Sequence, residues 1–249
     1  MLRKFFYLSM TLVMVLASGC ATTERVQAVP ESQTNHAEIP GIPGVRYWVA
    51  TDIEPYVRDT FKSIEREKAA LAAAGHSGDL PPANFLAISG GGDAGAFGAG
   101  LLVGWTKAGN RPMFKVVTGV STGALIAPFA FLGPEYDGVL STVYTTIGPK
   151  NVLDPRNILL ALTSDAMADN RPLLDLITKY ITADILAKIA REYERGRILL
   201  IGTANLDARQ PVIWNMGAIA ASKDPNALDL FRHVLLASAA IPGATGGSI

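Results

Sequence analysis

Two strand-to-helix turns built from glycine follow one another in this chain, and together they restrict its fold more than any other feature. Phe85-Leu86-Ala87-Ile88-Ser89 reads as a short buried strand, Gly90-Gly91-Gly92-Asp93-Ala94-Gly95 as a turn, and residues 96–107 as the following helix. The apolar run 114–118 then leads into Gly119-Val120-Ser121-Thr122-Gly123 and a second helix-like run, 124–132. Strands alternating with helices in this way predict an α/β fold with a mainly parallel central sheet. Both glycine loops then fall at the same edge of that sheet, the edge where α/β proteins place their ligands.

The second turn spells G-x-S-x-G. A strand that turns sharply into a helix through small residues lifts the central hydroxyl toward solvent, which makes Ser121 a candidate nucleophile. The first turn supplies a matching feature. Without side chains, the amides of Gly90, Gly91 and Gly92 approach a ligand closely and point at a negative oxygen. An ester hydrolase needs such donors, because losing one typically costs about 3 kcal/mol of barrier. The same loop also reads G-x-G-x-x-G, the dinucleotide-binding fingerprint. That fingerprint expects an acid at the end of the second strand, and none stands there. A glycine turn serving only tight strand-to-helix packing is the plainer alternative for either loop taken alone.

The run Ser89-Gly90-Gly91-Gly92, then Gly95-Ala96-Phe97-Gly98-Ala99-Gly100-Leu101-Leu102, then Gly119-Val120-Ser121-Thr122-Gly123-Ala124-Leu125, resembles the patatin-like phospholipases. Later segments carry the same likeness: Gly202-Thr203-Ala204-Asn205-Leu206-Asp207 with Pro211-Val212-Ile213-Trp214, and Leu236-Ala237-Ser238-Ala239-Ala240-Ile241-Pro242. The resemblance covers residues 84–242 and implies a three-layer α/β/α domain. It also implies a serine hydrolase acting on acyl esters of lipids through a Ser–Asp dyad without histidine. Ser121 would be the nucleophile, and Gly90, Gly91 and Gly92 the oxyanion hole.

The chain departs from the family pattern twice. Ala94 stands where the family usually has Arg or Lys. No residue matches the dyad aspartate, which the family places in an Asp-Gly turn beyond the segment matched by residues 237–242; the resemblance thus implies a domain that is C-terminally incomplete. Other carboxylates read more simply. Asp137 looks like a helix start behind Pro134, Asp169 or Asn170 like a helix cap, and Asp207 like a turn residue. A histidine triad would run Ser, Asp, His. Of the three histidines only His233 follows Ser121, and its apolar neighbours suggest a buried packing residue.

Arg3 and Lys4, an apolar run to Ala17, and then Ser18-Gly19-Cys20 read as a signal peptide over residues 1–19. Cys20 is the single cysteine, which excludes an intrachain disulfide. Its setting resembles a bacterial lipobox, with Leu16 one place further from the cysteine than usual. Lipidation of Cys20 would make the protein a bacterial envelope lipoprotein, anchored through its N-terminus and expected at the outer membrane. Residues 20–50 read as the lipidated N-terminus and tether. Residues 51–83 read as a helix with a linker, its apolar stripe formed by Tyr56, Phe61, Ile64 and Leu71. The hydrolase domain then runs over 84–249.

The formal net charge is zero over the whole chain, and without Arg3 and Lys4 it becomes −2. No basic stripe is present, so nucleic acid is not an expected partner. No metal-ligand spacing appears, and no cofactor is expected. Residues 154–196 read as three helices covering the sheet, with 158–162 as their most apolar stretch. Residues 197–205 read as a central buried strand and 211–214 as an edge-like one. The expected partner is a phospholipid or another acyl ester. The alternative of a different class is a catalytically inactive lipid- or protein-binding envelope lipoprotein on the same fold.

Overall fold

The computed structural model describes residues 29–146, 154–155 and 168–240. The chain divides into two units, Met1–His36 and Ala37–Ile249. In the first, the described residues form a short 3-10 turn, Glu31–His36, where the Thr34 hydroxyl donates to the Pro30 carbonyl. The expected signal peptide and Cys20, and the apolar stretch 158–162, lie outside the described residues.

The second unit contains strands β1 (Arg46–Trp48), β2 (Phe85–Ile88), β3 (Val116–Val120), β4 (Asp154–Pro155), β5 (Ala168–Asp169), β6 (Ile198–Asn205) and β7 (Gln210–Asn215). Its helices are α1 (Ile53–Ala73), α2 (Gly95–Lys107), α3 (Thr122–Leu132), α4 (Asp137–Thr146), α5 (Arg171–Tyr180), α6 (Ala183–Glu194), α7 (Met216–Ala221) and α8 (Ala227–Ala239). Five strands make one sheet in the order β1-β7-β6-β3-β2, and β4 pairs with β5 separately. Strands β2, β3 and β6 run parallel, whereas β7 and β1 join antiparallel. This is the mixed sheet, parallel at its centre and flanked by helices, that a patatin-like α/β/α domain requires.

The middle strand shows why the layers form. All four residues from Ile198 to Ile201 are buried, the continuous apolar run of a strand covered on both faces. Leu199 and Ile201 belong to the core, with Ile126, Phe131, Ile219 and Phe231. The α3 helix is apolar on every side and is buried accordingly. On the opposite face Leu200 and Gly202 meet a cleft walled by β1 and the start of α1.

One buried cation ties the layers together. The Arg197 guanidinium donates to the carbonyls of Phe114 and Phe131, pairs with Glu192 at 2.9 Å, and lies 4.3 Å from the centre of the Phe131 ring. Burial lowers its pKa, because desolvation disfavours the charged form, while Glu192 opposes that shift.

Several elements differ from the sequence reading. β1 lies inside the segment 20–50 read as a tether, and Ile42, Val45, Tyr47 and Trp48 are core residues. Antiparallel pairing of β1 with β7 makes β7 an interior strand rather than an edge. β2 is not buried but takes the open edge, with Phe85 exposed. The described part of 154–196 holds two helices and the β4–β5 pair. Finally, α1 does not dock through the predicted stripe, since Phe61 is exposed. It docks through polar close packing. Buried Ser63 donates to the Gly196 carbonyl, Lys115 pairs with Glu67 at 2.6 Å, and Arg66 sits over the Tyr193 ring. A side chain at Gly196 would collide with the Ser63 carbonyl at 2.3 Å.

Candidate active site

The register brings the two glycine turns side by side. Ile88, the last residue of β2, pairs with Gly119 of β3, so both strands deliver their loops to one edge. At the end of β3 the chain reverses within two residues, and Ser121 adopts φ 56° and ψ −126°. A side chain in that region is strained and persists only where the surroundings hold it. Here the glycines flanking the serine hold it. A Cβ on Gly123 would lie 2.2 Å from the Ile88 carbonyl oxygen, and one on Gly119 2.4 Å from that of Gly123. Only glycine lets the first turn of α3 cross so closely over the strand ends.

The elbow is also fixed by hydrogen bonds. The Ser121 amide donates to Ser238 Oγ at 2.9 Å, and that hydroxyl donates in turn to the Gly202 carbonyl at 2.7 Å. A single hydroxyl on α8 thereby joins the elbow to β6. The Ser121 carbonyl accepts from the Ala124 amide and starts α3. The hydroxyl-bearing residue is half-buried, between exposed Val120 and buried Thr122.

In the neighbouring loop the polarity of the backbone is sorted. Gly91 and Gly92 take φ values of 156° and 54°. The Gly90 carbonyl accepts from the Ser89 hydroxyl, that of Gly91 from the Ala94 amide, and that of Gly92 from Thr122 Oγ1 at 3.0 Å. The amides of Gly90, Gly91 and Gly92 donate to no acceptor among the described residues, and all three glycines are exposed. This is the geometry of an anion-binding concavity. It adjoins the serine, since a Cβ built on Gly90 would stand 2.8 Å from Ser121 Cβ and 3.3 Å from its Oγ.

The Thr122 bond locks the two loops together, and Gly95 closes the joint from below: a Cβ there would overlap Thr122 Cγ2. Tyr144 of α4 donates to the Thr122 carbonyl at 3.4 Å. Burial pushes its phenol well above the ordinary value.

A family model, the patatin-like phospholipases, matches residues 86–248, which span both loops, the elbow and the Ser238 segment. The chain belongs to the patatin-like phospholipase family. Comparison with curated proteins and with solved structures gives no match. At the level of the family the chemistry is hydrolysis of acyl groups from lipids, and a lipid is the corresponding substrate.

Within this patatin-like domain the structure separates the other candidates of the sequence reading. Asp137 opens α4 and pairs with Arg111 at 2.7 Å, both side chains well covered. Asp207 lies in the turn between β6 and β7. Asn170 takes the position before α5, with Pro172 in the first turn. His233 is not buried: its Nδ1 faces the Asp229 carbonyl and carboxylate one turn earlier on its own helix. Among the described residues no carboxylate hydrogen-bonds the Ser121 hydroxyl. Two contributors were missed from sequence, Ser238 and Thr122. Ser238 stood inside a segment that carried the family likeness, and that was the available signal. Thr122 had none beyond its place after the serine.

Proposed function

We propose that the domain is a serine acyl-ester hydrolase of phospholipase A, lysophospholipase or esterase type, with Ser121 as nucleophile. The observation that carries this reading is the juxtaposition of an exposed triple-glycine loop, its amides unspent, with a serine held in a strained elbow. Ser121 Oγ attacks the acyl carbonyl carbon and passes its proton to the carboxylate of a Ser–Asp dyad, a partner that no described residue supplies. The carbonyl oxygen becomes an anion held by the amides of Gly90, Gly91 and Gly92. Collapse expels the alcohol, which takes the proton back, and water then releases the fatty acid from the acyl-enzyme. No cofactor or metal enters this scheme.

Fluorophosphonate labelling of the full chain, with the adduct located by mass spectrometry, tests the assignment. A phosphonyl group on Ser121, abolished together with ester turnover in Ser121→Ala, is the expected result. An unlabelled Ser121 in folded protein, with lipid retained but not hydrolysed, would replace the enzyme by a lipid-binding domain.

We infer further that the protein works at a bacterial envelope, at the outer membrane, with Cys20 carrying the lipid anchor; the charged start, the apolar run and Ser18-Gly19-Cys20 support this reading. Metabolic labelling with a radioactive fatty acid should mark the wild-type chain and not Cys20→Ser.

A further inference from the structure

An apolar cleft of about 370 Å³ opens on the sheet face beside the elbow. Its floor is made by Val120, Leu200, Gly202 and Ile213, and its far wall by Trp48 and Ile53. Val120 directly precedes Ser121, and Gly202 holds the hydroxyl of Ser238 that fixes the Ser121 amide. The lining therefore ends at Val120, the residue next to Ser121 in the chain. The carboxylate at the cleft, that of Asp52, is already engaged, accepting from the Trp48 amide at 2.9 Å and the Thr51 hydroxyl at 3.0 Å. Nothing in the lining asks for a charged or hydrogen-bonding guest, whereas Val120 and Ile53 are 51% and 67% exposed.

We propose that this cleft holds the acyl chain of the substrate, and that β1 with the first turn of α1 determines the chain length accepted. The inference rests on the reading of Ser121 as nucleophile. It goes further than the family match, because the far wall comes from residues 47–56, outside the matched segment 86–248. A water-sized group takes about 30 Å³, so the cleft accommodates about a dozen methylene groups. Each methylene transferred from water to such a surface tightens binding about fourfold. Affinity should rise steeply with chain length and level off once the cleft is full.

Full-length Ser121→Ala protein, titrated with saturated fatty acids of six to sixteen carbons and followed by tryptophan fluorescence, separates the cleft from catalysis. Affinity should climb about fourfold per carbon and flatten near about twelve. Adding Ile53→Asp should lower dodecanoate affinity at least about tenfold. Adding Phe61→Asp, an exposed α1 position outside the cleft, should leave it unchanged. Circular dichroism checks that each variant is folded. An affinity that keeps rising to sixteen carbons, or falls equally in both aspartate variants, overturns the proposal. Length-dependent binding without fluorophosphonate labelling of the wild type would sink the catalytic reading alone. Labelling without length-dependent binding would sink the cleft alone.

Discussion

Gly90 is the residue on which the two halves of the site meet. A methyl group there would press on Ser121 Cβ at 2.8 Å and force the amide away from the developing oxyanion. Gly90→Ala should lower kcat/KM by about 100-fold or more, the usual effect of losing one oxyanion donor. Relieving that contact should also cost about 1–3 kcal/mol of stability, so the kinetics are read well below the melting temperature. Steady-state kinetics on a soluble ester beside a melting curve distinguishes this from simple destabilisation. Ser238→Ala acts by another route, since it strips partners from both the Ser121 amide and the Gly202 carbonyl. Leaving such groups unpaired costs about 1–3 kcal/mol, so stability and activity should fall together. The sharp turn at Ser121 and the glycine loop beside it were legible in sequence because both are local, written in spacing and in the absence of side chains. Ser238 acts across 117 positions of chain, and no local pattern announces such a contact.

At the scale of elements the same distinction holds. The two strand–turn–helix units and the buried strand β6 were readable, since each carries its own period and punctuation. Order within the sheet was not. Whether β7 forms an edge depends on β1, a three-residue strand too short to show alternation and set in a proline- and glycine-rich stretch. The docking of α1 was misread for a related reason: it relies on the closeness allowed by Gly196 and on individual polar pairs, not on a hydrophobic stripe. Arg197 illustrates how much such pairs carry. It binds the entry to β3, the end of α3 and the end of α6 through one guanidinium. Arg197→Met keeps much of the volume but abandons the Phe114 and Phe131 carbonyls and the Glu192 carboxylate. Breaking a buried charge pair in this way typically costs about 3–5 kcal/mol. Urea denaturation should show the midpoint fall by the corresponding amount with an unchanged slope.

For the whole molecule, the attachment of α1 and β1 to the sheet gives a stability that depends on pH at the alkaline end. Tyr47 of β1 donates to the Asp59 carboxylate of α1 at 3.0 Å, and Asn215 of β7 donates to the same oxygen. Burial, and then the neighbouring Asp59 charge, push the Tyr47 phenol far above its ordinary value; burial pushes Tyr144 under the elbow far up as well, and raises Tyr193 beside Tyr47. In the unfolded chain these phenols lose their protons near about pH 10. A folded-state pKa raised above the unfolded one means the native state holds protons that the unfolded state has released. The stabilisation is therefore complete below about pH 10 and is lost as the pH climbs toward the folded values. Of the seven tyrosines, these three should resist titration until the structure opens. Ultraviolet titration should accordingly show a phase that coincides with loss of the helical signal. Tyr47→Phe separates the two contributions of that residue. Near neutral pH it removes a hydrogen bond and should destabilise by about 1 kcal/mol. Above about pH 11 it removes a proton that the unfolded state would otherwise shed, so its melting temperature should approach that of wild type and then exceed it. Parallel melting curves across that range decide the matter, because a Tyr47 that titrates normally in the native state would leave the difference between the two proteins constant.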